Sequence, residues 1–594
     1  MKTILTIVFI NLIFILNLSS QKYDFKWLMG QSFADNPYDT GWGCAIMDFD
    51  TPDGNPIFYE EKYKLIDFLA SSANICDING NYLFACNGGY VEGPNDSLML
   101  NGDDLGNDIK YPELGVVGSQ NTLILPDLEN SNSYFLFNKI FYYFENYGLS
   151  IKSLEHSIVD MKRNKNNGEL ISRRNLTLSD TLDSASLIAT KHANGKDWWI
   201  IISEDTKVGY YIFFLSGRVV KLHNYFNFKI KKSRGESGQT FFSQCGNYIA
   251  TAAGDGLLNR YNLFFMKFNR CSGEIEYFQK KFVPFQKIIW DAGCAFSPDS
   301  KYLYYATLDT LYQFPIVGDS LGDREIAGIY DGFREDIGGN FMNSTEFGPM
   351  QFAPDGKIYF QEIGLQSRSM HVIHNPNEDH ENCNFKQHDI YSPTIKMCLP
   401  NFPNYRLGPI DGSICDSLGI DNVPRCHWRY NQDSTDFLNF YFTDLSAYEV
   451  EEWYWDFGDP ASPGNKSREV NPIHRFSALG VYEVCLIVKN KNDADTLCRT
   501  VRIGVVSNKD EFITDIEIQS WPNPFSHTMV INILDYNPQN MLIDITDIHG
   551  NRVHSQKAKQ GSHLIDTKDW LPGVYLVRVY ERDELWFVKK MVKI

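Results

Sequence analysis

The chain has 594 residues, 43% of them hydrophobic and 14% aromatic, which is enough apolar surface to pack cores and excludes a disordered polymer. Its formal net charge of −19 argues against nucleic-acid binding, because neutralising phosphates needs clustered Lys and Arg. The 33 Tyr and 41 Phe, with little helical periodicity beyond the N-terminus, favour an all-β chain.

In chain order, Met1-Lys2-Thr3 is a short positive start, Ile4 to Leu18 an apolar core, and Ser19-Ser20 a small-residue end. Residues 1–20 therefore read as a secretory signal peptide cleaved near Ser20, and no later segment reaches spanning length. Export permits disulfides among the 12 cysteines. Cys485 and Cys498 lie symmetrically about the turn Lys489–Asp493 and are expected to pair across a hairpin, and Cys415 with Cys426 is a second candidate pair. No CxxC spacing points to zinc.

From Trp42 onward, short strand-like segments alternate with turns. Ala295-Phe296-Ser297-Pro298-Asp299-Ser300-Lys301-Tyr302-Leu303-Tyr304-Tyr305 is the clearest unit: Pro298 sets φ for a turn, Asp299 and Ser300 bond their own backbone, and the tyrosines suit a pleated surface. Taking Ile75, Ile124, Ile188, Phe241, Phe296 and Phe352 as anchors, the spacings are 49, 64, 53, 55 and 56 residues. A repeat near that length, built of several short strands, predicts a β-propeller of about seven blades over residues 35–420, closed by pairing of its N- and C-terminal strands.

Residues 75–81, 191–199, 269–275 and 399–406 resemble the propeller-like regions of secreted Bacteroidetes surface proteins, related to WD40-like and YVTN-like repeats. The resemblance spans most of residues 40–412 and speaks to architecture. Residues 413–428 read as a linker. From 425 to 505, Trp453-Tyr454-Trp455-Asp456-Phe457-Gly458-Asp459, then Asn471–Phe476 and Gly480–Val484, resemble a PKD domain, an Ig-like β-sandwich. There Trp455 and Phe457 would pack the core while Gly458 permits the turn that Asp459 and Pro460 complete. Asp456 and Asp459 read as turn stabilisers, with calcium ligation as the alternative.

The last segment, 513–594, carries Trp521-Pro522-Asn523-Pro524-Phe525, an alternating strand over Met541–Ile548, the turn His549-Gly550-Asn551, the step Leu571-Pro572-Gly573-Val574-Tyr575, and the end Lys589-Lys590-Met591-Val592-Lys593-Ile594. This order resembles the type A sorting domain of type IX secretion substrates, with Pro522, Asn523, Pro524, Gly550, Gly573, Tyr575, Lys589 and Lys590 as its motif residues. The resemblance implies handling by the type IX machinery, then release or attachment at the outer cell surface. The lysines also suit protection of an edge strand.

No GxSxG, HExxH, P-loop or GxGxxG in a βαβ setting is present, so no catalytic residue, cofactor or metal ligand is assigned. His192, Asp197, Trp198 and Trp199 form the densest cluster; they read as blade packing and a turn cap, against a general base and sugar platform. The functional expectation is a non-catalytic binding or adhesion protein that presents a propeller face on a PKD spacer to protein or glycan. The alternative is a hydrolase or lactonase-like enzyme in the propeller channel, drawing on Glu204, Asp291, Glu346, Glu362 or Asp411.

Overall fold

The computed structural model describes residues 21–31, 43–61, 64, 66–103, 105–106, 115–116, 118–144, 148–183, 185–232, 238–255, 260–283, 292–336, 342–362, 367–396, 398–433, 435–503, 517–521, 527–534, 541–547, 552–558, 561–568, 570–581 and 584–593. The expected signal peptide and Asp291 lie outside them, as do Pro522, Asn523, Pro524 and Gly550. The chain divides into two compact units, Met1–Phe476 with Glu483–Val501, and Ser477–Tyr482 with Arg502–Ile594.

The fold is all-β. Among the described residues of the first unit, seven antiparallel sheets of three or more strands follow one another before Ser413. Their first strands are Lys26–Gln31, Ala73–Cys76, Thr122–Pro126, Ile188–Lys191, Thr240–Phe242, Gly293–Phe296 and Phe347–Phe352. Each of the six sequence anchors falls on one of the last six. The first sheet begins upstream of the expected residue 35, because Trp27 and Met29 are fully buried and carry that strand into the core.

In five sheets the first turn has one chemistry. Asp77 Oδ1 accepts from Asn79 N and Asn81 N, Asn194 Oδ1 from Lys196 N and Asp197 N, and the Ser243 hydroxyl from Tyr248 N. The Ser297 hydroxyl likewise accepts from Lys301 N and Tyr302 N, and Asp355 Oδ1 from Lys357 N. Three residues after Asp77, His192, Ser243, Ser297 and Ala353 comes a left-handed residue whose N–H bonds back to that residue's carbonyl: Gly80, Gly195, Gly246, Ser300 (φ 60°) and Gly356. Serine alone among these five occupies a slot that favours glycine.

The first strands face a common hub, and their inner edges present backbone groups that need partners. Glutamines supply some. Gln120 Nε2 donates to Thr240 O (2.8 Å) while Thr240 N donates to Gln120 Oε1 (3.0 Å), and Gln239 makes the same reciprocal pair with Met350 (3.1 and 2.7 Å). The rest comes from residues 399–406. Asn401 N donates to Ser72 O, and its Nδ2 donates to Thr122 O (2.9 Å) and Leu187 O (3.0 Å). Leu399 N donates to Gln361 Oε1 and Tyr405 OH to Ile124 O (2.8 Å). Pro400 and Pro403 keep this segment out of any ladder. It is a plug through the hub, and no blade strand.

The ring closes around that plug. No strand from the C-terminal side joins the first sheet among the described residues, contrary to the expected exchange. Closure rests instead on packing of Trp27 against Tyr359 and Phe402 (ring centroids 5.7 and 6.1 Å) and on Arg406, which grips Asp24 with two nitrogens (2.5 and 2.8 Å). Buried aromatics and a forked charge pair do here what strand exchange would have done.

Two further sheets, Trp428–Gln432/Asn439–Asp444/Ile473–Arg475 and Lys466–Ser467/Glu452–Asp456/Gly480–Lys489/Ala494–Ile503, form a sandwich around Trp428, Phe442, Trp455 and Phe457. Gly458 needs φ +66°, and a Cβ there would meet Glu483 O at 2.5 Å. In the second unit, Met529, Ile531, Ile543, Ile565, Val577 and Met591 are buried between two sheets. Its last strand, Glu584–Lys593, lies at a sheet edge beside Gly573–Glu581.

The hub makes a specific demand. Asn401→Ala removes the donors to two buried carbonyls and should destabilise the chain by about 3 kcal/mol. Asn404→Ala, half-buried with one side-chain donor bond to Gln244 O, should cost less than about 1 kcal/mol. Denaturant titration of both variants checks this; equal losses would remove Asn401 from its central place.

Candidate functional site

The channel itself offers little room. The spaces beside the plug are about 30 and 10 Å³, and their polar lining includes Gln120, Gln239, Gln351, Gln361 and Asn401. The carboxylates weighed for catalysis lie elsewhere: Glu204 binds Thr206, Lys207 and Tyr225 within its own sheet, and Glu362 lies beside Ser369. Asp411 accepts from Asn422 and pairs with Lys491. No group of three or more His, Cys, Asp or Glu is poised for a metal among the described residues.

The His192 cluster is taken up by packing. His192 Nδ1 accepts from Asn194 N, and its Nε2 lies 3.1 Å from Cys271 O. Trp199 Nε1 donates to Arg270 O (2.7 Å) with its ring against Phe214, while Trp198 packs edge-on to Tyr405. Cys415 bonds Cys271 rather than Cys426, whose buried thiol faces Leu486 O, so the linker is tied back to the fifth sheet. Cys485 and Cys498 are bonded to each other.

A larger space opens where the turns of the fifth, sixth and seventh sheets meet the 428–503 sandwich: a cleft of about 590 Å³. One wall carries Gln244, Asn247 and Ser300; the other carries Thr443 and Tyr448. Tyr448 and Glu449 are consecutive left-handed residues (φ 70° and 54°), so with Ser300 three strained positions line it. Arg270 and Arg406 also reach it, but Arg270 is spent on the carbonyls of Lys191, His192 and Gly408, and Arg406 on Asp24.

Hydrogen bonds tie the sandwich to the sheets beside the cleft. Arg429 Nε donates to Asp355 O (2.8 Å), Tyr430 N to Asp53 O, and Arg499 to the carbonyls of Thr51 and Pro52. His427 sits edge-on to Phe25 in this joint. The sandwich is therefore no loose spacer; it is part of the first unit. In the sandwich, Asp459 lies 3.4 Å from His474, which stacks flat on Phe457, and Asp456 pairs with Lys466, so both carboxylates serve the turn.

Residues 430–505 match the family model of the PKD domain, and residues 519–594 match that of the secretion system C-terminal sorting domain. The tail is a type IX sorting domain. It marks the protein for export to the cell surface or the medium by the type IX machinery. Among the described residues no helix is long and apolar enough to cross a membrane. A 74-residue stretch is 35% identical to collagenase ColQ1 of Bacillus cereus, covering 12% of this chain and 7% of that protein. The chain thus spans a small fraction of the length of that curated relative.

Among solved structures, a Bacteroides fragilis protein described as a 6-phosphogluconolactonase is 9% identical, covers 64% of this chain and 98% of its own, and superposes at a TM-score of 0.33. PorZ, a surface component of the type IX secretion system of Porphyromonas gingivalis, is 11% identical over 93% of this chain and 84% of its own at 0.16. At these scores neither carries an inference about activity.

The sequence shows the turns but not the cleft, because the wall residues Gln244, Asn247 and Ser300 stand 143 to 204 residues from Thr443 and Tyr448. Within the joint, burial first and then Arg499, Lys22 and Arg406 hold the His427 pKa well below 6.5; burial also lowers His474, against the pull of Asp459. The unfolded chain protonates these imidazoles at about 6.5 while the folded chain keeps them neutral, so the unfolded state binds more protons. Stability should therefore fall as pH drops below about 6.5, before carboxylates titrate. Unfolding free energies between pH 7.5 and 5 should show that slope in the native chain and a flatter one in His427→Gln.

Proposed function

We propose that the protein is a non-catalytic binding or adhesion protein, exported by the type IX system, whose first unit recognises an extracellular protein or glycan. Residues 1–20 would serve as the export leader, 35–420 together with the earlier strand Lys26–Gln31 as a seven-bladed propeller, 425–505 as the PKD domain, and 513–594 as the sorting domain. What carries the reading is the plugged hub: the segment 399–406 occupies the space that a channel enzyme needs for substrate. The pinned joint supports it further, since a preorganised surface loses little entropy on binding.

The sorting motif residues Pro522, Asn523, Pro524, Gly550, Gly573, Tyr575, Lys589 and Lys590 would be read by the secretion machinery. Of these, Tyr575 donates its hydroxyl to Leu571 O (2.7 Å), and Lys589 and Lys590 sit on the edge strand, opposite Val577 and Leu576. The lysines therefore also guard that edge against pairing with another chain.

Deleting residues 515–594 should leave the protein in the periplasm, whereas the full chain reaches the surface or medium; cell fractionation with immunoblotting reads the difference. Normal display of the truncated chain would refute the sorting role. The exported full chain should in turn bind saturably to a component of glycan or surface-protein arrays. Silence there together with measurable hydrolase turnover would overturn the binding reading.

A further inference from the structure

We propose that the cleft between the propeller turns and the PKD domain is a binding site for a neutral, polyhydroxylated ligand, a short stretch of glycan. The inference rests on the binding reading above and adds to it a place and a ligand class.

The argument begins with which polar groups are spare. Among the described residues, Gln244 and Asn247, both half-buried on the propeller wall, make no side-chain hydrogen bond, and neither do Thr443 and Tyr448 on the facing wall. Two amides, an aliphatic hydroxyl and a phenol therefore converge on one space, each half-withdrawn from water. Amides offer donors and acceptors together and hydroxyls offer both in one atom, which matches the dual character of sugar hydroxyls. Phe352 adds an apolar surface beside them. At about 590 Å³ the cleft is within the size range of small-molecule sites, about 300 to 1,000 Å³.

Charge narrows the class. Arg406 gives both terminal nitrogens to Asp24, and Arg270 gives Nε and Nη2 to three backbone carbonyls, so neither presents a free pair of terminal nitrogens to a carboxylate or phosphate. Asp299 is held by Ser297, Lys301 N and the Lys301 ammonium, and Asp444 by Trp453 and Ser446, so neither stands ready for a cation.

Backbone geometry narrows it again. The propeller wall is made of turns, not of a strand edge, so an extended peptide cannot add itself as a further strand, the common route to main-chain recognition. Ser300 fits the same picture. It keeps a hydroxyl at the cleft in a left-handed slot where four equivalent turns carry glycine. Its hydroxyl accepts from Cys245 N (3.4 Å), which ties the sixth sheet's turn to the fifth along that wall of the cleft.

The test uses the full exported chain and a panel of neutral trisaccharides: cellotriose, mannotriose, xylotriose, maltotriose and chitotriose. Isothermal titration should detect at least one, with an affinity that changes less than twofold between 50 and 500 mM NaCl. The double variant Gln244→Ala/Asn247→Ala should weaken it tenfold or more at an unchanged melting temperature. Thr443→Val, on the opposite wall, should weaken it independently, which keeps the test decisive if the double variant misfolds.

Silence of the whole panel, or binding that ignores both walls, overturns the proposal. Binding of unstructured peptides that these variants abolish, with sugars silent, replaces glycan by peptide. If array binding persists in the variants, the cleft is wrong while the binding reading stands. If the displayed native chain binds nothing on any array, that reading fails as well.

Discussion

The structure of the first unit depends on how the inner edges of its sheets are satisfied. Strands that converge on a hub present unpaired N–H and C=O groups there, and leaving such groups buried without partners costs about 1–3 kcal/mol each. This chain meets the demand with side-chain amides and with its own residues 399–406. Asn401 alone reaches carbonyls beside three different sheets, and Tyr405 and Leu399 extend the contacts along the plug. The solution fills the hub and leaves spaces of only about 30 and 10 Å³ beside the plug.

The same segment leads into the rest of the unit. Beyond Arg406 the chain passes over the face formed by the first turns, where Pro409 lies against Gly195 and Ile410 N bonds Ala193 O. The Cys271–Cys415 bond then holds the linker to that face. From there the PKD domain lands on the first turn of the seventh sheet through Arg429 and on the Thr51–Pro52 loop of the first sheet through Arg499. Plug, linker and sandwich are one continuous path, and the cleft is the space this path leaves beside the turns of the fifth to seventh sheets.

Much of this was legible in the sequence. Turn residues act locally, so Asp77, Asn194, Ser243 and Ser297 could be recognised wherever they occur, and their period near 55 residues located six of the seven first strands. The PKD core and the sorting tail were readable for the same reason: Trp455, Phe457 and Gly458 lie within a few residues of one another, and their roles are fixed over short distances. Three features escaped. The strand Lys26–Gln31 lacks the repeat's turn signature; Leu399–Arg406 resembles repeat material yet forms no strand; and Cys415 finds its partner 144 residues away rather than at Cys426.

The sequence by itself determined what depends on neighbours along the chain: the all-β class, the turns, the sandwich core and the export address in the tail. Only the tertiary structure decided what depends on distant segments meeting. It placed a proline-broken stretch in the hub, turned an expected spacer into a wall, and set Gln244 and Asn247 opposite Thr443 and Tyr448. The physical reason is common to all three. Backbone groups at a converging centre and charges such as Arg406 and Asp24 acquire partners by burial, and no local pattern states which residue will arrive.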